Sequence, residues 1–294
     1  MKVTSLYDVE PRPRRVSVGT FDGVHLGHRE VIRGNDTVLT FEPHPLAVVR
    51  PDALPKLIAS YEIKRDLIAG LGVEELVVIH FDKEFSTKSA EQFIDEVLIE
   101  KLEATHVSVG ENFTFGQKAR GTPQMLAERA EFETRIVPLV EVNGETVSSS
   151  HIRGLVAAGE VKEASEFLGG PFLFQGEVVH GDKRGRELGF PTANIVPSPD
   201  LAVPGHGVYA AWAHGHPAAV NVGVRPTFVT GRGLLIEAFL LDFDADLYGE
   251  QLRVAFVERL RGEKRFESVD DLVAQMELDV VRAREICSAT VFRR

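Results

Sequence analysis

The chain is poor in sulfur. A single cysteine, Cys287, stands among 294 residues, so no internal disulfide can form, and the sequence suits a reducing compartment. Cys287 falls in an expected C-terminal helix and reads as a small core residue rather than a nucleophile. Long apolar runs are missing too. Nothing approaches the roughly 18 residues that a membrane helix needs, and residues 1–15 hold no apolar signal core. The expected location is the cytoplasm, with no membrane partner. Positive charge is in deficit, with 33 Lys and Arg against 44 Asp and Glu and a net charge of −11. No nucleic-acid partner is expected, because wrapping a phosphate backbone needs a basic footprint. No G-x-x-x-x-G-K-[ST] string occurs either, which excludes a P-loop. Internal repeats and low-complexity tracts are also absent.

What is present divides into halves of different texture. A length of 294 residues at 44% hydrophobic composition suits two globular domains, read here as 1–168 and 169–294. In the first, apolar runs alternate with helical patterns. Strands are expected at Val16–Val18, Val38–Phe41, Leu76–Phe81, His106–Val109 and Arg135–Val140. Leu76-Val77-Val78-Ile79 is apolar throughout, as a strand covered on both faces should be. Lys64–Leu71 reads as a helix, and Ser89 with Gln92 forms a capping box for another. This alternation predicts a doubly wound, Rossmann-like parallel sheet. Its ligands should sit beyond the carboxyl ends of the strands, where strand order reverses. The first crossover, Asp22 to Thr37, barely meets the minimum for parallel pairing, so its helix must be short.

After Gly169-Gly170-Pro171 the helical period stops, and Glu160–Phe167 reads as a helix joining the halves. Short strands between turn residues follow, at Phe172–Val179, Gly207–Trp212, Ala218–Val222, Leu234–Leu240 and Leu252–Phe256. They predict an antiparallel β-barrel. Ser268 then caps a final helix with Val269, Leu272, Met276, Val280, Ala283 and Cys287 on one docking stripe.

The densest motif is Ser17-Val18-Gly19-Thr20-Phe21-Asp22-Gly23-Val24-His25-Leu26-Gly27-His28. A strand, a glycine turn and a helix start make a phosphate site, because free N–H groups point at the anion. The strand ends at Gly19, while Gly23 and Gly27 let the backbone turn sharply and approach a ligand, and His25 and His28 share a face if a helix begins there. Half a metal site or two surface histidines are the other readings of the pair. Thr40-Phe41-Glu42-Pro43-His44-Pro45, Val109-Gly110-Glu111-Asn112-Phe113-Thr114-Phe115-Gly116 and Val147-Ser148-Ser149-Ser150-His151-Ile152-Arg153 follow in order. In the second half the strings are Gly176–Arg186, Leu188-Gly189-Phe190-Pro191-Thr192-Ala193-Asn194, Asn221–Phe228 and an isolated Glu237 within an apolar strand.

The first four segments resemble the adenylyltransferase half, and the later ones the kinase half, of the bacterial bifunctional riboflavin kinase/FMN adenylyltransferase (FAD synthetase) family. The resemblance covers most of 15–155 and about 172–285. It implies ATP-dependent phosphorylation of riboflavin to FMN, then adenylylation of FMN to FAD with release of pyrophosphate. Riboflavin, FMN and ATP are the implied partners and Mg²⁺ the implied cofactor. It assigns ATP phosphates to Gly19, Phe21, Gly23, His25, His28, Ser149, Ser150 and Arg153, with His28 at the transition state, and flavin to Asn112, Phe113 and Phe115. In the kinase it assigns Glu237 as general base, Thr192 and Asn194 as Mg²⁺ ligands, and Gly181, Lys183 and Gly185 to the phosphate loop.

The chemistry is consistent. FMN's phosphate is already an anion and needs alignment rather than a base, whereas a primary hydroxyl needs one. The plainer readings are simple capping for the serines, local packing for the phenylalanines, an exposed strand position for Glu237 and a solvated turn for the basic loop. Thr114 stands where relatives often carry Arg, and Ser150 where they often carry Thr. A monofunctional kinase with an inactive first domain and a flavin-binding sensor without turnover are the rival readings.

Overall fold

The computed structural model describes residues 1–181, 188–227 and 231–290; the side chains of 224–227, 231 and 232 lie outside that description. The chain forms two compact units, Met1–Pro55 with Tyr61–Ser149, and Lys56–Ser60 with Ser150–Arg294.

The first unit begins with an edge strand, β1 (Lys2–Ser5), absent from the expectations above, and then β2 (Arg14–Val18). Helix α1 (Leu26–Ile32) is only seven residues long, as the short crossover demands. β3 (Thr37–Glu42), α2 (Pro45–Val49), α3 (Tyr61–Ala69) and β4 (Glu75–His80) follow. Next comes α4 (Ala90–Gln92), started by the Ser89–Gln92 capping box and continued by a π-helical stretch, Phe93–Lys101. β5 (Ala104–Gly110), α5 (Pro123–Ala127), β6 (Glu133–Val137) and a small hairpin of β7 (Glu141–Val142) and β8 (Glu145–Thr146) complete the unit.

The six sheet strands are parallel and ordered β1-β4-β3-β2-β5-β6. From β2 the chain winds to one side through β3 and β4, then returns to β5 on the other. β2 and β5 therefore flank the reversal point, where a ligand is expected. Val16, Leu39, Val77 and Val107 are fully buried, which is the covering on both faces that the apolar runs predict.

At the sheet's other end Arg14 and Glu75 form a buried pair, Nε to Oε2 at 3.0 Å. Arg14 directs its remaining donors to the carbonyls of Arg12, Leu102 and Glu10, so the buried guanidinium is well satisfied.

In the second unit α6 (Ser149–Ala158, with Ser149 its boundary residue) and α7 (Val161–Leu168) precede β9 (Phe172–Val179), β10 (Ala193–Ile195), β11 (Gly207–Ala213), β12 (His216–Thr227), β13 (Gly231–Leu240) and β14 (Gln251–Arg261). These strands close as an antiparallel barrel in the order β10-β13-β12-β11-β14-β9. Its interior is filled by Phe172, Phe174, Tyr209, Val220, Ile236 and Phe256, all at most 1% exposed. The three-residue β10 was not among the expected strands.

The last helix, α8 (Val269–Ala289), is capped by Ser268, whose Oγ accepts from the Asp271 N–H. It docks on the barrel's outer wall at Ala210, Trp212 and Ala219 through Ala283, Ile286 and Cys287. Cys287 is wholly buried, as a core residue should be. The expected stripe needs one correction. Val269 is 59% exposed, so the first turn of α8 does not share the docking face. Its buried face includes Asp279, paired with Arg261.

Candidate active sites

The loop after β2 is built under backbone strain. Phe21 and Val24 have φ of 51° and 44°, and Gly23 has 82°, a region costly for all but glycine. Gly19 leaves room for the Phe21 ring, since a Cβ there would lie 3.0 Å from it. Phe21 meets His28 edge-on at 5.4 Å, and the rings of His25 and His28 stack at 3.5 Å.

His25 caps α1, its Nδ1 accepting from the His28 N–H at 3.3 Å. That bond puts the His25 proton on Nε2. Nδ1 of His28 is buried and has no hydrogen-bond partner among the described residues. Burial, then the charges of His25 and Lys64, hold the His28 imidazole well below its usual pKa, so it is neutral at pH 7. Ser149 is brought to this loop, its hydroxyl donating to the Asp22 carbonyl at 3.3 Å. Ser150 and Arg153 belong to the second unit, where Arg153 Nη1 donates to Ser150 Oγ at 3.5 Å.

Beyond β5, on the other side of the reversal point, Asn112 is exposed. Its Oδ1 folds back toward Gly110, where a Cβ would lie 3.3 Å away. Phe115 is only 6% exposed and sits in the core, while the partly buried Phe113 stacks on it at 5.5 Å. Phe113 is thus the ring available to a planar ligand, and Phe115 its backing.

The barrel's second constellation follows from strand register. Asn194 of β10 lies opposite Glu237 of β13, and Glu237 opposite Asn221 of β12. Side chains directly opposite share a face, and this row alternates with the buried Ile195, Ile236 and Val222, so it lies on the outer wall. Asn221 Nδ2 donates to Glu237 Oε2 at 3.2 Å. Asn194 is 5% exposed, and its Nδ2 donates to the Thr192 carbonyl at 3.2 Å. Its Oδ1 is buried with no hydrogen-bond partner among the described residues. A buried acceptor left open is costly, and a hard cation is a fitting occupant. Gly181 lies against this amide: a Cβ there would come within 2.5 Å of Asn194 Nδ2. Lys183 and Gly185 lie outside the described residues.

A family model for FAD synthetase matches residues 8–151, and one for riboflavin kinase matches 168–287. The bifunctional riboflavin kinase/FMN adenylyltransferase of Listeria monocytogenes is 38% identical, over 90% of this chain and 89% of that one. The enzyme of the same name from Bacillus subtilis is 37% identical over the same shares, and that of Escherichia coli K12 is 34% identical over 94% and 93%. The chain belongs to the bifunctional riboflavin kinase/FMN adenylyltransferase family.

A crystal structure described as a macrolide-efflux protein from Streptococcus pneumoniae is similar too. It has a TM-score of 0.85 and 32% identity, covering 97% of this chain and 99% of that one. In this chain, no helix among the described residues is long and apolar enough to cross a membrane.

Two residues escape the sequence reading of this family member. Lys64, on α3, is 7% exposed and reaches Glu42 Oε2 at 3.4 Å and the Phe41 carbonyl at 3.5 Å. Burial lowers its pKa, opposed by Glu42 and Asp22. Its signal was legible, since it stands four residues before the buried Ile68 on the inward stripe. Asn221 opens the Asn221–Phe228 string, but only strand register reveals its partner.

Proposed function

We propose that this chain phosphorylates riboflavin to FMN on its barrel and adenylylates FMN to FAD at its parallel sheet, with ATP as co-substrate of both reactions. The observation carrying this reading is its likeness to bifunctional relatives over about nine-tenths of both chains, which supports two activities rather than a kinase with a silent first half. The row of Asn194, Glu237 and Asn221 adds to it, since flavin binding alone needs neither a metal ligand nor a base.

At the barrel, Glu237 accepts the proton of riboflavin's primary hydroxyl as that oxygen bonds to the γ-phosphorus of ATP. The bond from that phosphorus to the bridging oxygen breaks, and ADP leaves. The buried Oδ1 of Asn194, with no partner among the described residues, fits Mg²⁺, with Thr192 as the second proposed ligand. Bound there, the ion supplies charge neutralisation at the phosphates. Gly181, Lys183 and Gly185 are proposed to cover the phosphates.

At the sheet, a phosphate oxygen of FMN attacks the α-phosphorus of ATP, and pyrophosphate leaves. The chain's contribution is alignment and charge. Gly19 and Gly23 let the backbone come close. His25 and His28 hold phosphate oxygens beside Phe21, and Ser149, whose hydroxyl reaches the same loop, takes the departing pyrophosphate. Asn112 and Phe113 hold the flavin, with Phe115 behind. The lone buried thiol supports a reducing compartment, the cytoplasm.

Incubation with riboflavin and MgATP, followed by chromatography of the flavins, tests the reading. FMN should appear first and FAD after it. Glu237→Gln should lower FMN formation by about 10²–10⁴-fold and leave FMN adenylylation intact; His28→Ala should let FMN accumulate. FMN as the sole product of the unaltered chain would defeat the two-activity reading.

A further inference from the structure

We infer that Asn221 is a positioning residue for phosphoryl transfer, fixing the Glu237 carboxylate through its side-chain amide. The inference rests on the reading of Glu237 as general base. The two residues are register partners on β12 and β13, so backbone pairing, not a chance rotamer, brings them together. The contact is Asn221 Nδ2 to Glu237 Oε2 at 3.2 Å. An ionised carboxylate only accepts, so the amide must present its NH₂ edge while Glu237 is charged.

Holding Oε2 fixes the plane in which the carboxylate meets the incoming hydroxyl. On Glu237's other flank Asn194 is the register partner, and its amide is already committed to the Thr192 carbonyl. The two asparagines thus divide the labour: one keeps a buried oxygen that would suit a cation, the other gives its N–H to the base.

The decisive variant is Asn221→Asp in the full chain, which keeps shape and loses the donor. FMN formation from riboflavin and MgATP should lose about 10-fold or more in kcat. KM for riboflavin and for MgATP should stay within about twofold, and adenylylation of added FMN should be unchanged. Asn221→Ala should lose a similar factor. In a Glu237→Gln background, Asn221→Asp should cause no further loss, because the residue it acts through is gone.

An Asp variant at the unaltered rate would overturn the inference, since filling space would then suffice. A loss confined to KM would do the same. If Glu237→Gln alone keeps full FMN formation, the reading of the base fails, and that result is separable from a failure at Asn221. Unchanged KM values for riboflavin and MgATP report that the barrel has folded, and adenylylation of added FMN reports the same of the first unit.

Discussion

His28 concentrates the physical chemistry of the first site in one ring. Its Nδ1 is buried without a partner among the described residues, and burial, His25 and Lys64 depress its pKa. As pH falls, the unfolded chain binds this proton first, near its ordinary pKa of about 6.5. The stabilisation from keeping the ring neutral is therefore complete above that pH, and it is lost as pH falls through about 6.5 toward the lower folded-state value. Hydrogen exchange of the β2 and β3 amides should show opening that grows from about pH 7 to pH 5. His28→Gln, which cannot titrate, should flatten that dependence, and an unchanged slope would place the titration elsewhere. Spacing alone made the histidine pair legible. The contact between Asn221 and Glu237 was not, because the two lie 16 positions apart in the chain and only antiparallel pairing closes the gap.

At the scale of elements, the apolar runs of β2 to β6 and the long barrel strands were legible because burial on both faces, or on alternate residues, leaves a period in the sequence. β1 leaves none. It is a four-residue edge strand of which only Thr4 is buried, and β10 is too short to show a period. The first turn of α8 misled for the opposite reason, since Val269 continues the apolar stripe by period and is nevertheless exposed. The elements of the sheet are also tied by charge. Burial pushes the Glu75 carboxyl up, but hydrogen bonds and charge from Arg14, with a bond from Arg12, pull it below its usual range. Glu75→Ala would leave the Arg14 guanidinium buried without its counter-charge, at a cost of about 3–5 kcal/mol. Urea unfolding of the first unit should show that loss; a change below about 1 kcal/mol would mean that the carbonyls around Arg14 suffice.

For the whole molecule, the expected division at 168/169 and the two compact units differ in where they put α6 and α7. The units place both helices, apart from Ser149, with the barrel, and α7 packs its buried Val161, Ala164, Phe167 and Leu168 there against β9 and β14. Phe167→Ala in the full chain should cost about 3–5 kcal/mol in that unit. On heating, FMN formation should then fail at a lower temperature than in the unaltered chain, while adenylylation of added FMN keeps its own midpoint. The reverse pattern would assign α7 to the first unit.

The solid interior of the barrel has a wider consequence. Along β13, Ile236, Ala238 and Leu240 point into the packed centre, while Glu237 and Phe239 point outward. Two messages are thus interleaved letter by letter on one strand. The even positions can drift among apolar residues of like volume without touching the chemistry, and the odd positions can be revised for a new substrate without loosening the centre. A fold written this way can change what it does and how firmly it stands on separate schedules.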